Sequence, residues 1–375
     1  MKKPDDRLFA VTAPGLEGVC AAELAALGMA EVEAVAGGVE FCGGLREIYL
    51  GNLWLRTASR VLVRMGEVRS RDFPDLYKKT VKLPWGRFIR PDTRLRVRAV
   101  SHGSRLGHTG RISATVAEAV NRALGRKEQP ETGPEQLILA RFEDDLCQFS
   151  VDSSGELLHR RGYREEAGAA PLRETLAAGM LLLLGWQGQV PLADPMCGSG
   201  SLVIEAALLA RNLPPGRARR FAFMDWPRYR PGLWDALRLE AGRSERPCPV
   251  PLAGSDQDPL VLELARRNAL RAGVAEVTAW DCRPLQQLQS DAGCGLLISN
   301  PPYGERIGRG PGLVELFRSL GQVLVERRPG WSLAFLCPDP ELARQTDLAP
   351  ACRAELHNGG IAVGLYTATR GQNPR

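Results

Sequence analysis

Residues 189–212 read QVPLADPMCGSGSLVIEAALLARN, and the fold turns on this stretch. An apolar run, Val190 to Ala193, ends in Asp194 and passes through the small-residue loop Cys197-Gly198-Ser199-Gly200-Ser201. Leu202, Ile204, Ala206, Leu209 and Ala210 then recur as they would on a helix. A strand, a glycine turn and a helix start make a ligand site. Glycines let a bound molecule approach the backbone, and the first helical amides with the helix dipole favour a carboxylate or phosphate. A dinucleotide fingerprint would need a small residue where Val203 stands, and a phosphate loop would need Gly-Lys-Ser/Thr, which is missing. Both nucleotide readings are weakened.

Two later strand-like runs also close on acids, Leu252 to Asp256 and Val277 to Asp281. Carboxylates at successive strand ends along one sheet edge suit a ligand with an amine at one end and a ribose diol in the middle. A fourth run, Gly295 to Ser299, leads into Asn300-Pro301-Pro302-Tyr303. Around these, the periodicity predicts helices over 258–272 and 312–327, a strand over 332–337, and a hairpin over 354–369 turning at Asn358-Gly359-Gly360, where glycine supplies positive φ.

Asp194-Pro195-Met196-Cys197-Gly198-Ser199-Gly200, Gly254-Ser255-Asp256 and Asn300-Pro301-Pro302-Tyr303-Gly304-Glu305-Arg306 resemble the ordered motifs of class I S-adenosylmethionine-dependent amino-methyltransferases. The resemblance implies an α/β fold: a Rossmann-like, mostly parallel seven-stranded sheet closed by an antiparallel hairpin. It also implies that Asp194, Pro195 and the backbone of Cys197, Gly198, Ser199 and Gly200 hold the methionine part of the cofactor. Asp256 would take both ribose hydroxyls, Gln257 would lie beside the adenine, and Asp281 with Cys282 would meet the adenine amine. Asn300 and the Pro301 carbonyl would accept hydrogen bonds from the acceptor NH₂, Pro302 would stiffen the loop, and Tyr303 would stack on the flipped base. Strand-end capping is the alternative for Asp194 and Asp281, and Asp258 reads as a helix N-cap.

At 375 residues, 44% hydrophobic and 25% charged, the chain has the composition of a soluble globular protein of two or three domains. Neither a signal peptide nor a membrane span is expected, because the most apolar run, Leu176 to Trp186, is too short for a bilayer. Nine singly placed cysteines and four scattered histidines offer no metal-ligand spacing, so no metal is expected; the odd thiol count suits a cytoplasmic protein. The net charge of +6 is uneven, at +13 over residues 51–127, −4 before them and −3 after. Either this is a solvated surface or it meets a polyanion, for which clustered Lys and Arg are suited.

The opening 50 residues resemble a ferredoxin-like unit, and 51–156 resemble a THUMP domain, an α+β RNA-binding module in which Lys78, Lys79, Lys82, Arg105 and Arg111 are the candidate RNA contacts. The stretches 158–164 (LHRRGYR) and 170–178 (APLRETLAA) are similar to the junction that leads into the methyltransferase part, here 157–375, of THUMP-containing RNA guanine-N2 methyltransferases. There Arg173 would bind the methionine carboxylate or stand as an ordinary exposed helix residue. Phe221, Phe223, Trp226, Tyr229 and Trp234 lie among Arg217, Arg219 and Arg220, which suits stacking on unpaired bases or packing in a core. The family implies methyl transfer to guanosine N2 in RNA, ribosomal RNA of the 23S type ahead of transfer RNA. Adenine-N6 DNA methylation and RNA binding without catalysis are the competing classes.

Overall fold

The computed structural model describes residues 6–164, 172–288, 292–302, 311–327 and 330–369. The chain divides into two compact units. The first holds residues up to 12, 20–158 and 219–240; the second holds 13–19, 159–218 and 241 onward.

In the first unit, β1 (Asp6–Thr12), α1 (Glu17–Ala26), β2 (Ala30–Val35), β3 (Gly38–Gly43), α2 (Leu45–Trp54) and β4 (Ala58–Arg69) follow one another along the chain. Then come α3 (Phe73–Val81), β5 (Arg94–His102), α4 (Thr109–Ala123), β6 (Glu135–Glu143) and β7 (Leu146–Asp152). The strands form one seven-stranded sheet in the order β2-β3-β1-β4-β7-β6-β5. The 12-residue β4 joins its halves, pairing with β1 through Ala58–Val63 and with β7 through Leu62–Arg69. Local chemistry explains the helix starts. The Asp72 side chain accepts from Asp75 N–H at 2.8 Å to cap α3, and His108 Nδ1 accepts from Arg111 N–H at 3.0 Å to cap α4.

Arginines of β4 are engaged by acids of other strands. Arg60 pairs with the buried Asp152, and Arg64 lies 4.1 Å over the Phe9 ring and 3.4 Å from Glu40. Their partners sit far away in sequence, so alternation along β4 alone could not reveal them.

The aromatic stretch after residue 218 packs in the core of this unit. Phe221, Phe223, Trp226 and Trp234 are buried, and Tyr49 of α2 stacks on Phe223 at 4.4 Å. Trp226 meets Phe88 edge-on at 4.8 Å and its Nε1–H donates to Gln136 Oε1 at 2.7 Å. Rings buried this way cannot stack on bases.

The second unit contains α5 (Glu174–Leu183), β8 (Leu192–Asp194) and α6 (Ser201–Ala210). After α7 (Pro231–Arg243) come β9 (Leu252–Asp256), α8 (Pro259–Ala272), β10 (Thr278–Cys282), β11 (Gly295–Ser299), α9 (Pro311–Gln322), β12 (Trp331–Cys337), α10 (Pro340–Arg344), β13 (Ala351–Asn358) and β14 (Ile361–Thr369). Its sheet runs β10-β9-β8-β11-β12-β14-β13, parallel except where β14 opposes β12 and β13 opposes β14. The hairpin turns at Gly359 and Gly360, with φ of 61° and 90°. Both sheet faces are covered: Leu296 and Ile298 of β11 join the core under α5 and α6, while Leu297 joins Phe317 of α9 on the other face. That two-sided burial is why this strand reads as an unbroken apolar run. The strand order reverses between β8 and β11, which opens a crevice at their carboxyl ends.

Candidate active site

A cavity of about 570 Å³ lies at this reversal, a size usual for small-molecule sites. Asp194, Pro195, Cys197, Gly198 and Ser199 line it from the β8–α6 loop, Asp256 and Gln257 from the end of β9, and Asn300 and Pro302 from the end of β11. Residues separated by more than a hundred positions are thus brought to one crevice, as the strand-end pattern predicts.

The loop's geometry comes from its glycines and from β9. Gly198 has φ of 52° and Gly200 of 86°, the left-handed region that favours glycine. Cys197 N–H donates to Ser255 O at 3.0 Å, and Gly198 N–H donates to Asp256 Oδ2 at 3.0 Å, which ties the loop to the next strand. Asp256 Oδ1 accepts from Asp258 N–H at 3.1 Å, and Asp258 in turn caps α8 by accepting from Leu260 N–H at 2.9 Å. α6 begins at Gly200 with no side-chain cap, leaving first-turn amides without the usual partner at the cavity's edge.

Asp194 is fully buried. Its Oδ1 accepts from the Ser299 hydroxyl at 2.9 Å and from Met196 N–H at 3.2 Å. Burial nevertheless pushes its carboxyl up to about 7, and the nearby Asp256 charge adds to the rise. Burial likewise drives the Cys197 thiol well above its ordinary range, so it lines the cavity as a neutral group and not as a nucleophile. At the end of β11, next to Ser299, Asn300 Oδ1 is buried and accepts no hydrogen bond from the described residues. An unpaired buried carbonyl costs about 1–3 kcal/mol, and Asn300 is among the residues that line the cavity.

Other expected site residues stand elsewhere. Gly200 lies behind the cavity, where a Cβ would come within 2.6 Å of Trp280; Pro301 is buried. Arg173 is exposed at the N-cap of α5 and does not line the cavity. Asp281 is exposed and paired with Arg283 at 3.2 Å, while the exposed Cys282 has its thiol 3.8 Å from Gln257 O. Tyr303 lies outside the described residues. In the first unit Lys78, Lys82, Arg105 and Arg111 are exposed, Arg111 stacking 4.1 Å over Phe73. Lys79 is engaged with Asp75 at 2.7 Å and with Arg69 O at 2.5 Å.

Several supporting residues escaped the sequence reading. Asn268 Nδ2–H donates to Ser199 O at 3.0 Å from the buried face of α8. A polar residue on the apolar stripe of Leu262, Ala265, Ala269 and Ala272 was the available signal. Arg164 donates to Leu172 O at 3.2 Å and to the Ser201 hydroxyl, and lies 3.5 Å from the buried Glu174, joining the starts of α5 and α6 at the cavity. Trp280 fills the space left open by Gly200 and Gly254.

Comparisons with known proteins agree with this architecture. A family model described as an RMKL-like methyltransferase domain matches residues 161–366, and models for an RlmL ferredoxin-like domain and a THUMP domain match 7–62 and 70–152. A protein of Synechocystis sp. that carries the provisional name RNA methyltransferase is 35% identical over 364 residues, 95% of each chain. A provisionally named methyltransferase crystallised with SAH shares 32% identity and a TM-score of 0.90 over 100% of both chains. A Listeria monocytogenes protein, described by prediction as an N6-adenine-specific DNA methylase, shares 31% identity and a TM-score of 0.88, covering 97% of this chain and 96% of that one.

Proposed function

Because the chain belongs to the RMKL-like methyltransferase family, with RlmL ferredoxin-like and THUMP domains ahead of the methyltransferase domain, we propose that it methylates the exocyclic N2 amine of a guanosine in RNA, using S-adenosylmethionine. Ribosomal RNA of the 23S type is the favoured substrate and transfer RNA the second. The observation that carries the amine chemistry is Asn300 Oδ1, buried at the cavity with no hydrogen bond to accept from the described residues.

The residues present fit the cofactor. Asp256 has acceptor capacity for a vicinal diol beside its two backbone bonds, Asp194 offers an oxygen not engaged by Met196 or Ser299, and the uncapped start of α6 suits a carboxylate. When bound, S-adenosylmethionine supplies an electrophilic methyl group on a sulfonium that departs as a neutral thioether. The protein is therefore asked for alignment more than for acid or base strength.

An aromatic amine is a poor nucleophile because its lone pair is delocalised into the ring. Asn300 Oδ1 and the Pro301 carbonyl would accept its two N–H groups, turning the lone pair toward the methyl. An amide cannot take up a proton near neutral pH, so Asn300 orients and polarises, and the surplus proton leaves to solvent. Support for RNA comes from the THUMP match and the exposed Lys78, Lys82, Arg105 and Arg111.

Nucleoside mass spectrometry of ribosomal and transfer RNA from a deletion strain tests this reading. N2-methylguanosine should fall in one RNA and return with the wild-type chain but not with Asn300→Ala. Loss of N6-methyladenine from DNA with RNA unchanged would overturn it.

A further inference from the structure

A second cavity, of about 530 Å³, belongs to the first unit, and its lining includes Leu45, Gly86, Arg87, Arg228, Tyr229 and Arg230. Three guanidiniums at one concavity repel each other unless an anion joins them. The carboxylate of Asp6 does so in part: Oδ1 accepts from Arg87 Nη2 at 2.7 Å and Oδ2 from Arg228 Nη1 at 2.8 Å. Both arginines also lie over the Phe88 ring, at 5.1 and 5.2 Å, which orients their planes. One carboxylate thus shows how two guanidiniums here share an oxyanion, yet it offsets only one of three positive charges.

Arg230 carries the excess. It is exposed and has no acidic partner among the described residues, while its backbone N–H donates to the Tyr49 hydroxyl at 3.0 Å. The segment is built to hold it there. Buried Trp226 anchors one end and Trp234 the other, so Arg228 and Arg230 project from a fixed backbone and lose little entropy on binding.

We propose that this arginine-lined cleft is an RNA-binding site in which Arg87, Arg228 and Arg230 grip backbone phosphates, in addition to the basic residues of α3 and α4. The proposal rests on the reading of RNA as substrate. Arginine suits it because its planar fork meets two phosphate oxygens at once, and released counterions add to the affinity.

The test is fluorescence anisotropy of the full-length protein with a fluorescein-labelled single-stranded RNA of about 20 nucleotides, across a salt series. Removing one guanidinium that binds a phosphate should flatten the slope of log K against log[salt] by about 0.7, or about fivefold in affinity at 0.1 M salt. Arg230→Ala and Arg87→Ala should each show this, Arg230→Glu more, and Arg230→Lys should recover most of it. S-adenosylmethionine binding by calorimetry should stay at the wild-type value in all four, and Arg344→Ala in α10 controls for the loss of one surface charge. A wild type that binds RNA with salt dependence unchanged in the Arg230 and Arg87 variants would overturn the cleft and leave the RNA reading standing. A wild type without RNA affinity would overturn both. Full displacement of the RNA by micromolar GMP would show a mononucleotide site and overturn the phosphate-backbone assignment.

Discussion

Asn300 and Asp194 carry opposite kinds of strain, one an acceptor with no donor among the described residues and the other an acid buried away from solvent. For Asn300→Ala, kcat should fall by about 10²–10³, the range for removing one preorganised polar group, with cofactor affinity by calorimetry little changed. Transfer at the wild-type rate would remove Asn300 from the chemistry. Asp194 makes a pH prediction. Its carboxyl titrates near about 4 in the unfolded chain but is raised to about 7 in the folded protein. Between those values the native state holds a proton that the unfolded chain has released. Stability attributable to this group is therefore complete below about pH 4, falls as pH rises toward 7, and levels off above it. Asp194→Asn should gain on the wild type in Tm between pH 5 and 7.5, and a Tm difference independent of pH would contradict the shift. If the cofactor ammonium sits beside it, binding near pH 6 should release a proton, visible as calorimetric heat that varies with the buffer. Asp194, Asp256 and Asn300 were legible beforehand because a strand followed by a small or polar residue is a local pattern. Trp280 was not, because its role depends on Gly200 and Gly254 both lacking a side chain where its ring lies.

Among the elements, the parallel strands, their capped helices and the closing hairpin could be read from period, N-caps and glycine pairs, and the structure has them within a few residues. The segment Phe221–Trp234 could not be resolved that way. Rings interleaved with arginines are the composition both of a base-stacking surface and of a packed connection. What decides between them is Tyr49, nearly two hundred residues earlier. Phe223→Ala should accordingly destabilise the protein by about 3–5 kcal/mol in urea unfolding, as for a fully buried aromatic, while RNA affinity per folded molecule stays within error. Unchanged stability with weakened RNA binding would reinstate the stacking role. The arginines of β4 show the same limit: only Asp152 and Glu40 from other strands reveal that Arg60 and Arg64 are ion-paired.

In the whole molecule, the two units are interlaced along the chain, which passes between them at residues 12/13, 19/20, 158/159, 218/219 and 240/241. No single cut separates them. A fragment beginning near Leu157 would leave Leu16 out of the second unit's core and carry Phe221, Phe223, Trp226 and Trp234 without the first unit's Tyr49 and Phe88. It should be poorly soluble and lack a cooperative urea transition; a cooperatively folding fragment with full cofactor affinity would contradict this. The same interlacing sets an order of events at birth. On the ribosome, the strands of the first sheet emerge by Asp152, but the rings that complete their core follow only with residues 219–240. At about 5–20 residues per second, the nascent amino-terminal half waits several seconds with apolar surface uncovered. Its demand for chaperone protection should therefore rise after β7 and drop once Trp234 has left the exit tunnel.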